Sequence, residues 1–383
     1  MSKHVAVIGA GIVGLGIAAE ASRRGHRVTV IDPAPATGAT YAAAGMLAPV
    51  SELHYQEERL LALTSESARL YPGFVAGLGE TGYQETGTLV AAFDAADRTA
   101  LADLKQAQLA EGLEVHEITS REARRLEPSL GPALTGAFYA PGDHQVDPRA
   151  LSAALVKMLR NSGAAVVSKE AAGLITDAEG TVVGVQLAGG EVVAADETVV
   201  ANGLAAAALS GLPEGLRLPL RPVYGDILRL RVPAALQPLL TSTIRGIVRG
   251  HPVYLVPRGD GTVVIGATQR EDGSADVSAG GVYQLLRDAQ TLVPAVAELA
   301  LEEMTCRARP GTPDNAPLLG RVAAGTEDLP GLVVATGFFR HGVLLTPAAA
   351  KICADLIDGV QISVELLQFN PDRFSKMTKE SHA

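Results

Sequence analysis

The chain has little cysteine and no long apolar run. Its two cysteines, Cys306 and Cys353, are too few for a disulfide framework among 383 residues and are compatible with a reducing compartment. No apolar run approaches the roughly 20 residues that a membrane-spanning helix needs. These absences argue against a disulfide-rich scaffold and against a membrane protein, and we expect a cytoplasmic location.

Basic charge and metal-binding patterns are also scarce. The net charge is −10 and no basic run offsets it, so nucleic acid is not expected as a partner. The eight histidines are scattered, and no Cys/His cluster has the spacing of metal ligands, so no metal is expected. No Ser–His–Asp arrangement or pair of acids is spaced convincingly. The sequence therefore offers no obvious nucleophile or general acid–base pair.

The clearest motif lies at the beginning of the chain. An apolar run, Val5 to Ile8, leads into Gly9-x-Gly11-x-x-Gly14, a small-residue helix follows, and a second β-branched run ends on Asp32. In such a unit the first glycine permits a tight turn, the second lets backbone N–H groups approach a pyrophosphate, and the third lets the helix pack closely on the sheet. The acid about 20 residues on is placed to bind ribose hydroxyls. The order of these features predicts a dinucleotide site.

Two other interpretations of this stretch are weaker. Lys3 and the apolar run after it could form a signal peptide, but glycines, Glu20 and the pair Arg23-Arg24 interrupt that pattern, and no A-x-A cleavage site follows. A structural strand–helix–strand unit without a nucleotide would leave the position of Asp32 to chance. Dinucleotide binding is therefore preferred, although the motif alone does not separate NAD from FAD.

Nucleotide-type elements recur later in the chain. Asp196 to Gly203 is typical of a buried strand that stops at a small-residue turn. Gly331 to Gly337 is a second such strand, and an apolar helix from Gly342 to about Ile357 follows it. Between them the pattern is antiparallel, with a hairpin that joins Val253–Val256 to Thr262–Ile265. The nucleotide-binding part of the chain is therefore discontinuous.

The chain is longer than a single core normally supports, so we predict two interleaved domains. The predicted fold is α/β, with a Rossmann-like FAD-binding domain and an α+β substrate domain built on an antiparallel sheet. FAD is favoured because the discontinuous domain wraps its ligand and because the N-terminus of the last helix can stabilise a reduced isoalloxazine ring. The predicted boundaries are 1–80, 145–215 and 310–383 for the FAD-binding domain, and 81–144 and 216–309 for the substrate domain.

Three further segments allow local predictions from their residue types. Glu57 to Leu70 has helical spacing and is expected to end before Pro72. Ser120 is the expected N-cap of another helix. Ala39 to Leu47 is almost free of large side chains, and we expect it to lie against the cofactor rather than simply to begin an alanine-rich helix.

Three residues are candidates for substrate binding. Tyr254 lies in a hairpin strand, Arg309 ends a strand before Pro310, and Arg340 lies in the tight segment between Gly337 and Gly342. Arginine binds a planar carboxylate bidentately, and a tyrosine hydroxyl can complete the coordination. Most arginines are surface residues, but two phenylalanines precede Arg340. The missing side-chain base is consistent with hydride transfer to a flavin, which needs orientation and an unprotonated amine.

Five segments resemble the glycine oxidases of thiamine biosynthesis, in the D-amino acid oxidase superfamily of FAD enzymes. They are VAVIGAGIVGLGIA from Val5, TYAAAGMLAP from Thr40, VYLVPRGDGTVVIGAT from Val253, RARPGTPDNAPLLG from Arg307 and GFFRHGVLLTPA from Gly337. The resemblance covers nearly the full length. It implies that Tyr254 and Arg309 hold the substrate carboxylate and that Arg340 assists beside the flavin.

The resemblance also implies a reaction and a non-covalent FAD site. Hydride passes from Cα of glycine, sarcosine or a small D-amino acid to flavin N5, and O2 is reduced to hydrogen peroxide. The imine hydrolyses to glyoxylate and ammonia or enters thiazole formation, which makes the thiazole synthase an implied partner and a homotetramer the implied assembly. With the fingerprint glycines included, the expected FAD-binding residues are Gly9, Gly11, Ile12, Val13, Gly14, Asp32, Pro33, Thr40, Ala44, Gly45, Met46, Ala172, Phe338, Phe339, Arg340, His341, Gly342, Val343 and Leu344.

Other functions and two departures from the family pattern stay open. A D-amino acid dehydrogenase that passes electrons to a quinone or another carrier is one alternative, and a non-catalytic flavin-binding protein is another. Arg307 stands where a small residue is expected; it shares a strand face with Arg309, so we expect it near the site entrance, where it would favour anionic or small substrates. Pro252, two residues before Tyr254, occupies a position where the family can have a polar residue.

Cys306 raises the question of a covalent flavin. Sarcosine oxidases of this superfamily attach FAD through a cysteine shortly before a Thr-Pro-Asp, and Thr312-Pro313-Asp314 is present here. The position of that cysteine is occupied by Arg307, so Cys306 is one residue away and would face the other side of the strand. We therefore expect Cys306 to be a buried structural thiol.

Overall fold

The computed structural model describes residues 1–55, 57–324 and 327–375. Short 3-10 helices connect several of the longer elements, among them Phe339–His341. The α-helices of the described residues, in chain order, are α1 (Ile12–Arg23), α2 (Ala39–Ala42), α3 (Leu61–Val75), α4 (Ala95–Ala110), α5 (Ser120–Leu126), α6 (Pro148–Asn161), α7 (Ala279–Leu292) and α8 (Thr346–Ile357).

The strands of the described residues form two large sheets and two small ones. In chain order they are β1 (His4–Ile8), β2 (Arg27–Ile31), β3 (Met46–Leu47), β4 (Thr88–Ala92), β5 (His116–Ile118), β6 (Gly136–Ala140), β7 (His144–Gln145), β8 (Ala165–Val167), β9 (Ala171–Thr176), β10 (Val182–Leu187), β11 (Val192–Ala194), β12 (Glu197–Val200), β13 (Arg221–Arg231), β14 (Thr243–Val248), β15 (His251–Pro257), β16 (Thr262–Gly266), β17 (Ala300–Gly311), β18 (Leu318–Ala324) and β19 (Glu327–Thr336).

The first sheet has the order β18-β19-β12-β1-β2-β8, and it is parallel except at β18. Its central strand β1 is apolar from Val5 to Ile8 because both faces are covered there. Val5 and Val7 belong to a core shared with α1, α6 and α8. Ala6 and Ile8 belong to a second core, which includes Val185 of the three-stranded sheet β11-β10-β9. This sheet is the Rossmann-like part that the sequence predicts.

The second large sheet has eight strands in the order β17-β13-β16-β15-β14-β4-β6-β5. It is antiparallel except where β14 meets β4. Helix α7 packs on it through Leu285, Ala289 and Leu292. The predicted hairpin of β15 and β16 is confirmed, as is the mixed α/β fold class. The domain boundaries stay predictions, and residues 376–383 of the last predicted segment lie outside the described residues.

Helix α3 differs from its prediction. It begins at Leu61 rather than Glu57, and it continues through Pro72 to Val75. A proline inside a helix costs about 3 kcal/mol. Tyr71 and Phe74 on either side of the proline are buried in the core, and the Tyr71 hydroxyl donates to the Val343 carbonyl at 2.7 Å. Tertiary packing therefore outweighs the local preference to stop.

Two helix starts also differ. Thr119, not Ser120, caps α5: its hydroxyl accepts from the Glu122 amide at 3.2 Å, and the Glu122 carboxylate accepts from the Thr119 amide at 2.8 Å. This reciprocal capping box satisfies two amides that a Ser120 cap would leave unpaired. Helix α8 begins at Thr346 rather than Gly342, and Pro347 lies in its first turn.

No helix of the described residues combines the length and the apolar character that crossing a membrane requires.

Candidate active site

A cavity of about 1130 Å³ lies between the two large sheets. On one side it meets the carboxyl ends of β1, β2, β12 and β19, where parallel α/β sheets bind their ligands. On the other side it meets β13, β14, β15 and β17 of the second sheet. Typical small-molecule sites have roughly 300–1,000 Å³, so this cavity has room for a large cofactor and a small second ligand.

The glycine turn forms one end of the cavity. Gly9 has a φ of 103°, a conformation that favours glycine, and its amide donates to the Ile31 carbonyl at 2.8 Å. Gly11 precedes the first turn of α1 and lines the cavity. A Cβ on Gly14 would overlap with the Gly9 carbonyl oxygen, which confirms close packing of the helix on the turn. The helix N-terminus therefore opens onto the cavity, where it would favour a phosphate.

Asp32 holds this end of the cavity together. One carboxylate oxygen accepts from the Ala10 amide at 2.6 Å, and the other accepts from the Ala34 amide at 2.7 Å. A carboxylate offers about four acceptor positions, and two are used here. Asp32 lines the cavity, so hydroxyl groups of a ligand can use the others.

The stretch from Ala39 to Leu47 is both a helix start and a cavity wall. It forms the short helix α2 and the strand β3, and Ala42, Ala43, Ala44 and Gly45 line the cavity. The positive φ of Gly45, 72°, brings the backbone against the Val146 carbonyl oxygen, where a Cβ would overlap. The wall is therefore made of backbone and methyl groups, against which a flat ring system fits.

Most of the predicted FAD-binding residues line this one cavity, and three do not. Gly14 lies in α1 and packs against Gly9, His341 faces Glu52 and Glu57, and Leu344 is buried in the core. Those that line it are Gly9, Gly11, Ile12, Val13, Asp32, Pro33, Thr40, Ala44, Gly45, Met46, Ala172, Phe338, Phe339, Arg340, Gly342 and Val343.

Tyr254 and Arg309 come together at the other end of the cavity. A Cβ on Gly266 would overlap with the Tyr254 hydroxyl, and a Cβ on Gly225 would overlap with the Arg309 guanidinium. Two glycines of the second sheet therefore let these side chains lie flat over it. Burial raises the pKa of Tyr254, and the nearby Arg309 charge only partly opposes this. The hydroxyl is therefore a donor beside a cation, as carboxylate binding requires.

Arg340 lines the same cavity but is paired with a carboxylate of the chain itself. Its guanidinium donates twice to Glu57, and the distance from Nη1 to Oε1 is 3.1 Å. Asn315 Nδ2 donates to the same oxygen at 2.9 Å. Burial opposes ionisation of Glu57, but the neighbouring His341, whose Nε2 lies 3.9 Å from Glu57 Oε2, and the hydrogen bonds from Arg340 outweigh it and lower its pKa to about 2. Arg340 is therefore neutralised before any substrate binds.

A second such pair, Arg245 and Glu52, is not predictable from the sequence. Arg245 on β14 donates to Glu52 at 2.6 Å, and both line the cavity. His54 also lines it, and burial together with the Arg340 and Arg245 charges lowers its pKa to about 4, so the imidazole is neutral near pH 7. Glu52 and Arg245 are 193 positions apart, and no local pattern could have paired them.

Cys306 and Arg307 point in different directions, as strand alternation predicts. Cys306 is buried, and Arg270 Nη2 lies 3.3 Å from its sulfur; it is not part of the cavity wall formed by the described residues. Arg307 lines the cavity and is exposed, and its Nε donates to the Thr37 carbonyl at 3.0 Å. The predicted place of Arg307 at the site entrance agrees with this geometry.

The parallel sheet, the glycine turn and the long cavity define a dinucleotide-binding protein whose ligand reaches from the first sheet to the second. The small-residue wall and the space at its far end fit a flavin, because the ring can lie on backbone while a substrate meets Tyr254 and Arg309. Residues 4–356 match the family DAO, FAD dependent oxidoreductase. The chain belongs to this family, and its cofactor is FAD.

Two proteins and one crystal structure are similar to nearly the whole of this chain. The bifunctional protein ThiO/ThiG of Trichormus variabilis is 32% identical over 391 residues, which cover 98% of this chain and 56% of that protein. The chain thus spans about half the length of this relative. The glycine oxidase of Geobacillus kaustophilus is 34% identical over 386 residues, 96% of each chain. A crystal structure of glycine oxidase from the same organism has a TM-score of 0.87 at 33% identity, covering 97% of this chain and 99% of that chain.

Proposed function

We propose that the protein is an FAD-dependent oxidase of glycine that also accepts sarcosine and small D-amino acids. The net reaction would be glycine, O2 and water giving glyoxylate, ammonia and hydrogen peroxide. Support comes from the family, from the glycine oxidase that is 34% identical over 96% of the chain, and from the end of the cavity that contains Tyr254 and Arg309.

The state of Arg309 is the observation that carries this proposal. Arg245 and Arg340 each contact a glutamate. Arg309 has no carboxylate partner among the described residues; its Nη1 lies 3.4 Å from the Thr268 carbonyl. A partly buried cation without a counter-ion is costly unless a ligand supplies one. A substrate carboxylate is the anion that this geometry favours.

The side chains would bind and orient the substrate rather than exchange protons with its Cα. FAD, when bound, supplies the two-electron acceptor for a hydride. Arg309 and the Tyr254 hydroxyl would hold the carboxylate, and this would direct the Cα towards the wall of small residues at Ala44 and Gly45. The second sheet forms the wall of the cavity at this end. Orientation of this kind accounts for catalysis without a side-chain base.

Partners and location follow as further proposals. The relative called ThiO/ThiG joins a region like this chain to a second region, which supports the proposal that the imine product reaches a thiazole synthase in thiamine biosynthesis. A homotetramer and a cytoplasmic location are proposed with it. Both cysteines are free thiols, which is compatible with a reducing compartment.

One assay tests the proposal against its alternatives. Glycine added to the FAD-loaded protein without oxygen should bleach the flavin absorbance, and readmitted oxygen should restore it with one hydrogen peroxide per glyoxylate. Bleaching with slow reoxidation by oxygen and fast reoxidation by a quinone would indicate a dehydrogenase. If no amino acid bleaches the flavin, the protein binds the cofactor without turnover and the proposal is wrong.

A further inference from the structure

The cavity wall next to Tyr254 carries a second guanidinium. Strands β14 and β15 are antiparallel, and Arg245 stands directly opposite Tyr254 in their register. Directly opposed residues project from the same face of a sheet with Cβ atoms about 4.5–5.5 Å apart. Arg245 lines the cavity, and its side chain is 15% exposed. A ligand held by Tyr254 therefore lies within reach of Arg245 as well.

Glu52 occupies that guanidinium. The distance from Arg245 Nη1 to Glu52 Oε1 is 2.6 Å, and the Glu52 side chain is 10% exposed. Its other oxygen lies 3.6 Å from His341 Nδ1. Burial opposes ionisation of Glu52, but the charges of Arg245, His341 and Arg340 outweigh it and lower its pKa. The pair is therefore ionised and adds no net charge to the cavity.

Among the arginines that line the cavity, Arg245, Arg309 and Arg340 consequently differ in what they offer a ligand. Arg340 is paired with Glu57 and Arg245 with Glu52, whereas Arg309 has no carboxylate partner in the part of the chain that the structure describes. A ligand with one carboxylate neutralises Arg309. A ligand with two would bring its second carboxylate against the Glu52–Arg245 pair, where it meets a like charge and must displace Glu52.

We propose that Glu52 is a specificity-determining residue: by neutralising Arg245 it makes the site favour ligands with a single carboxylate over dicarboxylates, against the opposite preference that is expected of Arg307 at the entrance. This inference deepens the proposed function and rests on its assignment of Arg309 to the carboxylate of the substrate. It is independent of which electron acceptor the enzyme uses.

Binding of non-reacting acids to the FAD-loaded protein tests this proposal. Acetate and malonate are titrated separately, and the change in flavin absorbance gives a Kd for each. Wild type should bind acetate more tightly than malonate. Glu52→Gln frees the guanidinium of Arg245, so the ratio of acetate Kd to malonate Kd should rise about tenfold or more, the scale of a charge-assisted hydrogen bond.

Two further variants distinguish the effect of an unpaired Arg245 charge from a change in the conformation of the segment that contains Glu52. Glu52→Gln combined with Arg245→Gln removes both charges, and the Kd ratio should return towards the wild-type value. Glu303→Gln is the matched control, since Glu303 pairs with Arg149 at 2.7 Å and neither residue is part of the cavity wall formed by the described residues. Its ratio should equal that of wild type. A ratio that rises equally in the double variant would overturn the proposal, as would an unchanged ratio in Glu52→Gln.

Arg245→Gln removes the other member of the Glu52–Arg245 pair, and it is used if Glu52→Gln fails to fold. It leaves the Glu52 carboxylate without its cation, so malonate should weaken more than acetate. Equal weakening would contradict the role of Glu52, and so would failure of wild type to bind acetate at all. Glycine turnover is measured in parallel. If the Kd ratio shifts but glycine is not turned over, the proposed function is wrong and the role of Glu52 is supported. If glycine is turned over but the ratio does not shift, the role of Glu52 is wrong and the proposed function is supported.

Discussion

The end of the cavity at Gly9 and Asp32 is made largely of backbone, whereas the end at Tyr254 and Arg309 is made of charged and polar side chains. Much of the first end comes from Ile8 to Met46, with the carboxyl ends of β12 and β19 beside it. Its shape depends on glycines, because a methyl group added at Gly14 or Gly45 would overlap with a carbonyl oxygen. The second end is assembled from distant segments, and its properties depend on which carboxylate neutralises which guanidinium. The two ends should therefore fail in different ways when they are mutated.

The largest effect is expected from Arg309→Met. The change removes the unpaired guanidinium, and two charge-assisted hydrogen bonds of about 1.5–3 kcal/mol each correspond to a loss of at least about 100-fold in kcat/KM for glycine. FAD content should stay at the wild-type level, because the nucleotide end is untouched. Steady-state peroxide formation measures the first and protein-bound flavin absorbance the second. Arg231→Met, an exposed arginine paired with Glu302, is the control, and an equal loss there would contradict the assignment.

Gly14→Ala tests the opposite end. The added methyl group would overlap with the Gly9 carbonyl oxygen, and overpacking of this kind costs about 1–3 kcal/mol. We expect a lower melting temperature and weaker FAD retention on dilution, with the KM for glycine unchanged in the molecules that keep FAD. Gly280→Ala, also in a helix but with open space around the Cβ position, should not lower the melting temperature. If both variants behave alike, close packing at the turn is not the cause.

Glu57→Gln is expected to have an intermediate effect that depends on pH. The folded-state pKa of Glu57 is about 2, below the reference value of 4.5. A carboxyl group with a lowered pKa contributes stability above its unfolded value and loses it as the pH falls towards its folded value. The difference in melting temperature between wild type and Glu57→Gln should therefore be full at pH 6 and shrink between about pH 4.5 and 2. A difference that does not change over this range would show that the ion pair with Arg340 is not its source.

Arg307→Gly should have a smaller effect, confined to selectivity. The guanidinium is exposed and already bonded to the Thr37 carbonyl, and exposed ionic interactions contribute about 0–1 kcal/mol. Activity on D-aspartate should fall a few-fold relative to glycine and D-alanine. Unchanged ratios of kcat/KM among the three substrates would end the hypothesis that Arg307 favours anionic substrates.

The smallest effect is expected at Cys306, because its buried sulfur lies beside Arg270 and away from the cavity. Acid precipitation should release the flavin into the supernatant from wild type and from Cys306→Ser alike. A yellow pellet from wild type that becomes colourless in the variant would indicate a covalent bond and would contradict the predicted non-covalent site.

The nucleotide end could be predicted from the sequence because its rules are local. Gly9, Gly11, Gly14 and Asp32 are fixed by spacing within one strand–helix–strand unit, and the structure gives each the expected position. The lack of large side chains from Ala39 to Leu47 likewise indicates, from the sequence alone, a segment that can lie against a ligand. The predictions that were wrong here concern where helices begin and end. Helix α3, for example, continues through Pro72 because the neighbouring Tyr71 and Phe74 are buried in the core.

The substrate end could be predicted only in part. Tyr254 and Arg309 are suggested by their strands and by the resemblance to glycine oxidases, and the structure brings them together over two glycines. The pairing of Glu52 with Arg245, and of Glu57 with Arg340, depends on tertiary contacts 193 and 283 positions apart. A charge in a sequence indicates a possible ion pair, but its partner is decided by the fold.

The interleaving of the first sheet has a consequence for how the protein is made. Strand β1 lies between β2 and β12, and β12 in turn lies between β1 and β19. The nucleotide fingerprint therefore leaves the ribosome about 300 residues before the strand that completes its sheet. Pairing over such distances carries a large loop-closure cost and slows folding. During synthesis, FAD cannot be enclosed until β19 has emerged, so cofactor capture is expected to be among the last steps of folding rather than the first.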